Sequence, residues 1–560
     1  MTSRETPPTV PDNPQHDHSA LPPVGVSDMP PVGASDMPPV GGAYAKYVLG
    51  VLVLVYAVNF IDRQILAILA EDIKADLGLS DADLGFLYGT AFAVFYALFG
   101  IPLGRLADNW IRTRLLSIGL FVWSGMTALS GLSTNFTQLS LARVGVGIGE
   151  ASASPSAFSM LSDWFPRERR ATALAVYSSG LYIGGGVSLL IGATVVQAWN
   201  SAYPVDPPFG LHGWQAALLA VGLPGLLLSL WISTLKEPVR GRAEGLPEPA
   251  KVTDVGARLW TDISSVIPPL TFFHLAPFGR RVLGTNIAVA IAFALLAVLL
   301  IRVTGDMPQW VAICTGAYAV TSWSQSLKQR DRPTYALIWG TPTFILALIG
   351  FGSISFVGYS VGFWAAPYAI RTFVVPMMAA GGPLPWYAST QMVALILGGW
   401  GAAGGFLGVV TGGFLSDWVK RRNPSGRIIV GSLACLVPAP FIWLMYTTDN
   451  LALFLLYNIP LAFGSMYVGI AAATTQDLVL PRMRGAATAT YFIGTTLIGL
   501  GLGPYFTGAV SKITGSLATG VLSLLLMAPV TLICLFLVYR KLPAAEATRI
   551  ERARAAGEPI

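Results

Sequence analysis

Gly104-Arg-Leu-Ala-Asp108 returns much later in the chain as Gly413-Phe-Leu-Ser-Asp417, each time with basic residues following. Pro166-Arg-Glu-Arg-Arg-Ala171 returns at nearly the same offset as Pro481-Arg-Met-Arg-Gly-Ala486, and an acidic residue, Asp163 or Asp477, stands just before each copy. Two echoes at one spacing imply a duplicated unit. Each echo is a short polar loop between long apolar runs, so the duplicated unit is a bundle of membrane-spanning helices.

Composition agrees. Hydrophobic side chains make up 54% of the 560 residues and charged ones only 11%, with a mean hydropathy of +0.62. A soluble chain needs about a quarter of its residues charged. Runs of about 20 apolar residues, enough to span a bilayer, recur as six, then two, then six. The first six lie within residues 44–235. A linker, 236–333, holds Val282–Ile301 and the weaker Trp310–Trp323, and the last six lie within 334–541. The expected fold is all-α, with two pseudo-symmetric six-helix bundles and two extra transmembrane helices between them. Residues 1–43, rich in Pro, Ser, Asp and Gly and internally repeated, read as a disordered tail, and 542–560 as a second tail.

Charge sets the orientation. Arg112 and Arg114, Arg167 to Arg170, Lys420 to Arg427, and Arg482 and Arg484 all fall on one side if the spans alternate. The opposite first loop carries Glu71, Asp72, Asp76, Asp81 and Asp83 against Lys74. The base-rich face is therefore expected to be cytoplasmic, with both termini on it, in the cell (inner) membrane. The basic residues form no domain that could follow nucleic-acid phosphates. Cys314, Cys435 and Cys534 lie in apolar runs and offer neither a disulfide framework nor a metal-ligand spacing. The run Gly145, Gly147, Gly149 is no dinucleotide fingerprint, because no strand precedes it, and no phosphate loop occurs. No cofactor, no metal and no enzyme activity are expected. A lipid-acting enzyme would need a clustered nucleophile and base, and His212, His274 and Ser154 supply none.

Ionisable residues inside spans are costly, about 2.5–3.5 kcal/mol on insertion scales, and mark function. Asp62 and Arg63 lie about 24 Å along the first span from its base-rich end, and Glu150 about 21 Å along the fourth. Arg143 shares a helix face with Glu150, two turns away. The four are expected to form one mid-membrane polar cluster, with Glu150 or Asp62 exchanging a proton. The second bundle offers a candidate wall of Tyr359, Trp364, Tyr368, Gln391, Asn458, Tyr467 and Tyr491.

Gly104 to Arg114 resembles the signature loop of the major facilitator superfamily, although Asn109 and Ile111 depart from its usual residues. Asn59-Phe-Ile-Asp-Arg-Gln64, Ala142-Arg-Val-Gly-Val-Gly-Ile-Gly-Glu-Ala151 and Ser162-Asp-Trp-Phe-Pro-Arg-Glu-Arg-Arg-Ala171 resemble the Spinster-like branch, with Ser355-Phe-Val-Gly-Tyr359 adding to it. The resemblance implies a monomeric, proton-coupled carrier working by alternating access on a small-molecule or lipid-like organic anion; a drug/proton antiporter is the rival, and a non-transporting receptor is the alternative of another class. It also implies gating loops built from Arg105, Asp108, Arg112, Arg114, Arg169, Asp417 and Arg484, with Asp108 facing the helix that starts near Ala486.

Overall fold

The computed structural model describes residues 37–244 and 254–559. The tail expected over residues 1–43 falls mostly outside them. Among the described residues the chain is helical throughout, with no strand.

The first bundle comprises α1 Ala43–Leu77, α2 Asp81–Asn109, α3 Arg112–Ser130, α4 Phe136–Glu150 with α5 Ala153–Trp164, α6 Arg167–Ala202 and α7 Gly213–Ser233. The linker holds α8 Val255–Ser264, α9 Leu270–Leu275, α10 Arg280–Thr304, α11 Met307–Arg330 and α12 Arg332–Ile338. The second bundle comprises α13 Pro342–Ala379, α14 Thr390–Lys420, α15 Gly426–Thr447, α16 Leu451–Asp477, α17 Pro481–Thr514 and α18 Leu517–Ala547. A short α19, Arg549–Ala555, follows. The fourth span is two helices because Pro155 has no N–H to continue the ladder.

Eleven of these helices are long and apolar enough to cross a membrane. α3 and α11 fall short in apolarity because they bury polar groups, and the two helices of the fourth span, 15 and 12 residues long, fall short in length. α11 turns Gln309, Ser322, Ser324 and Ser326 inward, and α3 buries Ser124 and Thr127. Such helices face protein and need less apolar surface than their lipid-facing neighbours. The weaker run Trp310–Trp323 is thereby a full 24-residue helix.

Small residues set the helix crossings. A Cβ on Gly186 of α6 would lie 2.7 Å from the Gly398 carbonyl of α14, joining the two bundles. At the other junction, a methyl on Gly85 or Gly508 would run into the backbone of the opposing α17 or α2. Gly186 of α6 and Gly508 of α17 are therefore crossing points between halves.

Most of the chain from 542 to 555 is helical. α18 continues to Ala547, and Leu542 and Ala553 are buried. Arg549 donates to the Asp477 carbonyl at 2.8 Å, and Arg482 reaches both Asp331 (2.9 Å) and Glu558. Burial pushes the Asp331 carboxyl up, but the bonds from Arg482 and Thr334 outweigh it and hold it below the usual range. Arg482 likewise holds Glu558 low. A depressed carboxylate contributes its stabilisation above about pH 4 and loses it as pH falls through the folded value. Amide protection of α19, measured by hydrogen exchange and corrected for intrinsic rate, is expected to persist from pH 7 to 5 and fall below pH 4. Protection unchanged at pH 3 would contradict this clasp.

Candidate functional site

α4 carries glycine at every second position, and each glycine serves a neighbour. A Cβ on Gly149 would lie 2.7 Å from the Trp123 backbone N of α3, and one on Gly147 would lie 2.6 Å from the Phe92 carbonyl of α2. Without side chains there, α4 settles against both helices and delivers Arg143 and Glu150 to α1. The four expected charges do meet.

Arg63 Nε lies 2.6 Å from Glu150 Oε2, and Glu150 is buried. Glu150 is the last residue of α4, where the helix dipole disfavours a carboxylate, so the guanidinium offsets two costs at once. Its Oε1 has no hydrogen-bond partner, although the Asn59 amide stands beside it. Arg63 is held over the rings of Phe92 at 4.5 Å, Tyr96 at 4.6 Å and Phe60 at 5.0 Å. These contacts keep its charge stabilised on the faces the carboxylate does not reach.

Arg143 does not bond Glu150. Its Nη1 donates to the Asp62 backbone carbonyl at 3.3 Å and its Nε to the Leu87 carbonyl at 3.5 Å. The Asp62 side chain is fully buried and both its oxygens lack a partner; the Trp123 indole and Thr127 hydroxyl are near it without closing a bond. The group therefore holds one closed ion pair, Arg63–Glu150, and one open carboxyl, Asp62.

Tyr359 of the second bundle faces Arg63, and Tyr467 and Tyr491 stand next to Tyr359. Tyr467 shares a 2.6 Å hydrogen bond with Ser355. The remaining wall candidates lie elsewhere. Trp364 is wholly buried and donates to the Pro504 carbonyl at 3.0 Å. Tyr368 packs with Tyr446 and Phe454 inside the second bundle, Gln391 bonds Gln197 at the base-poor end, and Asn458 closes the first turns of α16. Trp364 and Tyr368 are packing residues of the second bundle, and Gln391 is a junction residue between the bundles. Tyr56, Phe60, Phe92, Tyr96 and Tyr177, which supply the aromatic surroundings, escaped the sequence reading. Tyr56, Phe60 and Arg63 share a helix face at i, i+4, i+7, and that spacing was the available signal.

At the base-poor face the bundles are tied. Arg371 of α13 bonds Glu71 (2.7 and 3.1 Å) and Asp81 (2.9 Å twice), while Ser511 of α17 donates to Asp81 at 2.6 Å. At the base-rich face the described ion pairs stay within one bundle or run to the linker. Arg112, with no exposed surface, bonds Asp163 at 2.5 Å and Glu237 at 2.7 Å. Arg427 does the same for Asp477 (2.7 Å) and Asp417 (3.1 Å), and Lys420 adds to Asp477. The acids before the two loop echoes thus take equivalent partners in the two halves. Asp108 is exposed at the end of α2 and makes no hydrogen bond, with Arg240, Arg112 and Arg105 as its charged surroundings. The expected docking near Ala486 is not formed, because Arg240 instead closes the end of α2 by bonding the Ala107 and Trp110 carbonyls. Arg105 pairs with Asp262 of the linker, and Arg114, Arg169 and Arg484 are exposed.

The profile of the Major Facilitator Superfamily matches residues 52–492. The chain belongs to this superfamily. It is a polytopic membrane transporter, and similarity extends to the Spinster-like branch. It is 26% identical over 489 residues to an MFS-type efflux pump of Mycolicibacterium smegmatis, covering 86% of this chain and 89% of the relative. It is 25% identical to protein spinster homolog 1 of Xenopus laevis, covering 84% and 74%. A crystal structure of a bacterial homolog of the human lysosomal transporter Spinster, inward-facing and unoccupied, superposes with a TM-score of 0.62 at 25% identity, covering 91% and 98%.

The tie at Arg371 carries a prediction for this transporter. Arg371→Ala removes the cation shared across the bundles and strips Glu71 of it, while Asp81 keeps Lys74 at 2.6 Å and the Ser511 hydroxyl. A cysteine at Thr507, now buried, is expected to react several-fold faster with a membrane-impermeant thiol reagent in that background. Unchanged labelling would mean that the packing of α2 on α17 alone closes this face.

Proposed function

We propose that the protein is a proton-coupled carrier moving a lipid-like or amphipathic organic anion by alternating access, as a monomer, in the cell membrane with its base-rich face and both termini in the cytoplasm. The Arg63–Glu150 pair beside the unpartnered Asp62 carries this reading. A proton on Glu150 frees Arg63, which stands between a carboxylate and an aromatic surround; an amphipathic anion places its head at Arg63 and its apolar part along Tyr96 and Tyr359. Asp62, with no bond to break, is the second protonatable group. The Arg371 tie keeps the base-poor face closed, and opening it requires α2 and α17 to separate.

The similarity to an efflux pump favours a second reading, in which the same group exchanges protons for an expelled drug-like compound. Proteoliposomes given an imposed proton gradient, with lysolipids, drug-like cations and small organic acids tested side by side, separate the two. Gradient-dependent movement of anionic amphiphiles supports the first, and movement of cations alone the second.

A further inference from the structure

Beyond the transport site, the linker builds a cavity of about 220 Å³ at the base-rich face. Three separate parts of the chain meet there: Arg105 near the end of α2, Arg330 and Asp331 at the end of α11, and Arg482 in the first turn of α17. Ser265, Ser326 and Thr334 add hydroxyls, and Trp323 with Met483 forms an apolar wall. The volume equals that of about seven waters, enough for a phosphate with its first ester carbons. α10, almost wholly unburied as a lipid-facing helix is, packs on α11, whose basic end lines the cavity.

The charges show what fits. Arg105 is matched by Asp262, and Arg482 by Asp331. Arg330 has no hydrogen bond or ion pair among the described residues. Burial, with Arg330 and Arg105 nearby, pushes His274 down, so a neutral imidazole meets the Ser326 hydroxyl at 3.0 Å. The second acid on Arg482, Glu558, comes from beyond α19 and does not line the cavity. A singly charged anion that took the place of Glu558 on Arg482 and also met Arg330 would leave the local charge unchanged.

We propose that this cavity binds a phosphodiester anion, held by Arg330 and Arg482 in competition with Glu558, and so bridges the linker to the second bundle. Basic pockets at the cytoplasmic ends of membrane helices take such headgroups from anionic lipids; a soluble phosphate offers the same chemistry. The proposal is independent of what the carrier transports.

Retention of phosphatidylglycerol by the full chain in micelles, read by native mass spectrometry, tests it, with phosphatidylcholine and inorganic phosphate as parallel arms. Phosphatidylglycerol is expected to be retained and phosphatidylcholine not. Arg330→Gln is expected to weaken retention about fivefold, the contribution of one arginine near an anionic surface, and Glu558→Gln to strengthen it. Arg540→Gln, exposed on the same face, is the control and should change nothing. Protection by inorganic phosphate with the same dependence on Arg330 and Glu558 would support the site and identify a soluble source. Equal retention of both lipids, equal loss in the Arg540 and Arg330 variants, or no response to Arg330→Gln would overturn it.

Discussion

Glu150→Gln is expected to abolish gradient-driven accumulation while leaving exchange of substrate across liposomes measurable. A gradient of two pH units, coupled through one proton per substrate, supports about 2.7 kcal/mol, or about a hundredfold asymmetry. Glutamine keeps the shape and can still accept a bond from Arg63, but it cannot carry the proton or pull the guanidinium by charge. The expected result is therefore equal substrate concentrations on both sides. Glu150→Asp, which keeps the charge on a shorter arm, should retain part of the asymmetry. Some destabilisation accompanies the glutamine variant, since Arg63 is largely buried and loses its counter-ion, so protein yield and thermal unfolding must be recorded beside transport. A glutamine variant that still accumulates substrate a hundredfold would move the coupling to Asp62. Asp62→Asn provides that comparison: no bond anchors its carboxyl, so the variant should fold as the parent does.

Why the four charges were legible and their pairing was not follows from what spacing encodes. Asp62, Arg63, Arg143 and Glu150 interrupt apolar runs, and each interruption is visible one residue at a time. Positions seven apart on α4 share a face, which suggested Arg143 for Glu150. The glycines between them let α2 come close, and the Phe92 ring then lies against both Arg63 and Arg143. Arg143 turns to backbone carbonyls, and Glu150 finds Arg63 across the helix contact. A partner on another helix is not written in either helix's own period. Arg371 shows the same limit: a single arginine near the end of an apolar run reads as an interface anchor, yet Glu71 and Asp81 make it the tie between bundles. The π-helical stretches Phe86–Thr90, Ile370–Val374 and Thr496–Leu502 left no mark in the sequence at all.

The duplicated loops, in contrast, told more than a fold. Their acids, Asp163 and Asp477, each hold an arginine at the start of the helix after the other loop echo, Arg112 and Arg427. The environments differ, and the difference predicts unequal consequences. Arg112 is fully enclosed and spends its guanidinium on Asp163, Glu237, the Ser159 hydroxyl at 2.8 Å and the Pro238 carbonyl at 2.7 Å. Arg112→Leu leaves two acids and a carbonyl facing a buried apolar chain, a loss on the order of 3–5 kcal/mol. Arg427 is 18% exposed, and Lys420 also serves Asp477, so Arg427→Leu leaves that acid paired and wet. Its expected cost is about 1 kcal/mol. Thermal unfolding of the two variants in one detergent, followed by tryptophan fluorescence, should place Arg112→Leu well below Arg427→Leu. Equal midpoints would mean that the equivalent arginines carry equal loads despite their unequal burial. A lower midpoint for Arg427→Leu would place the rigid anchor of the base-rich face in the second bundle rather than the first.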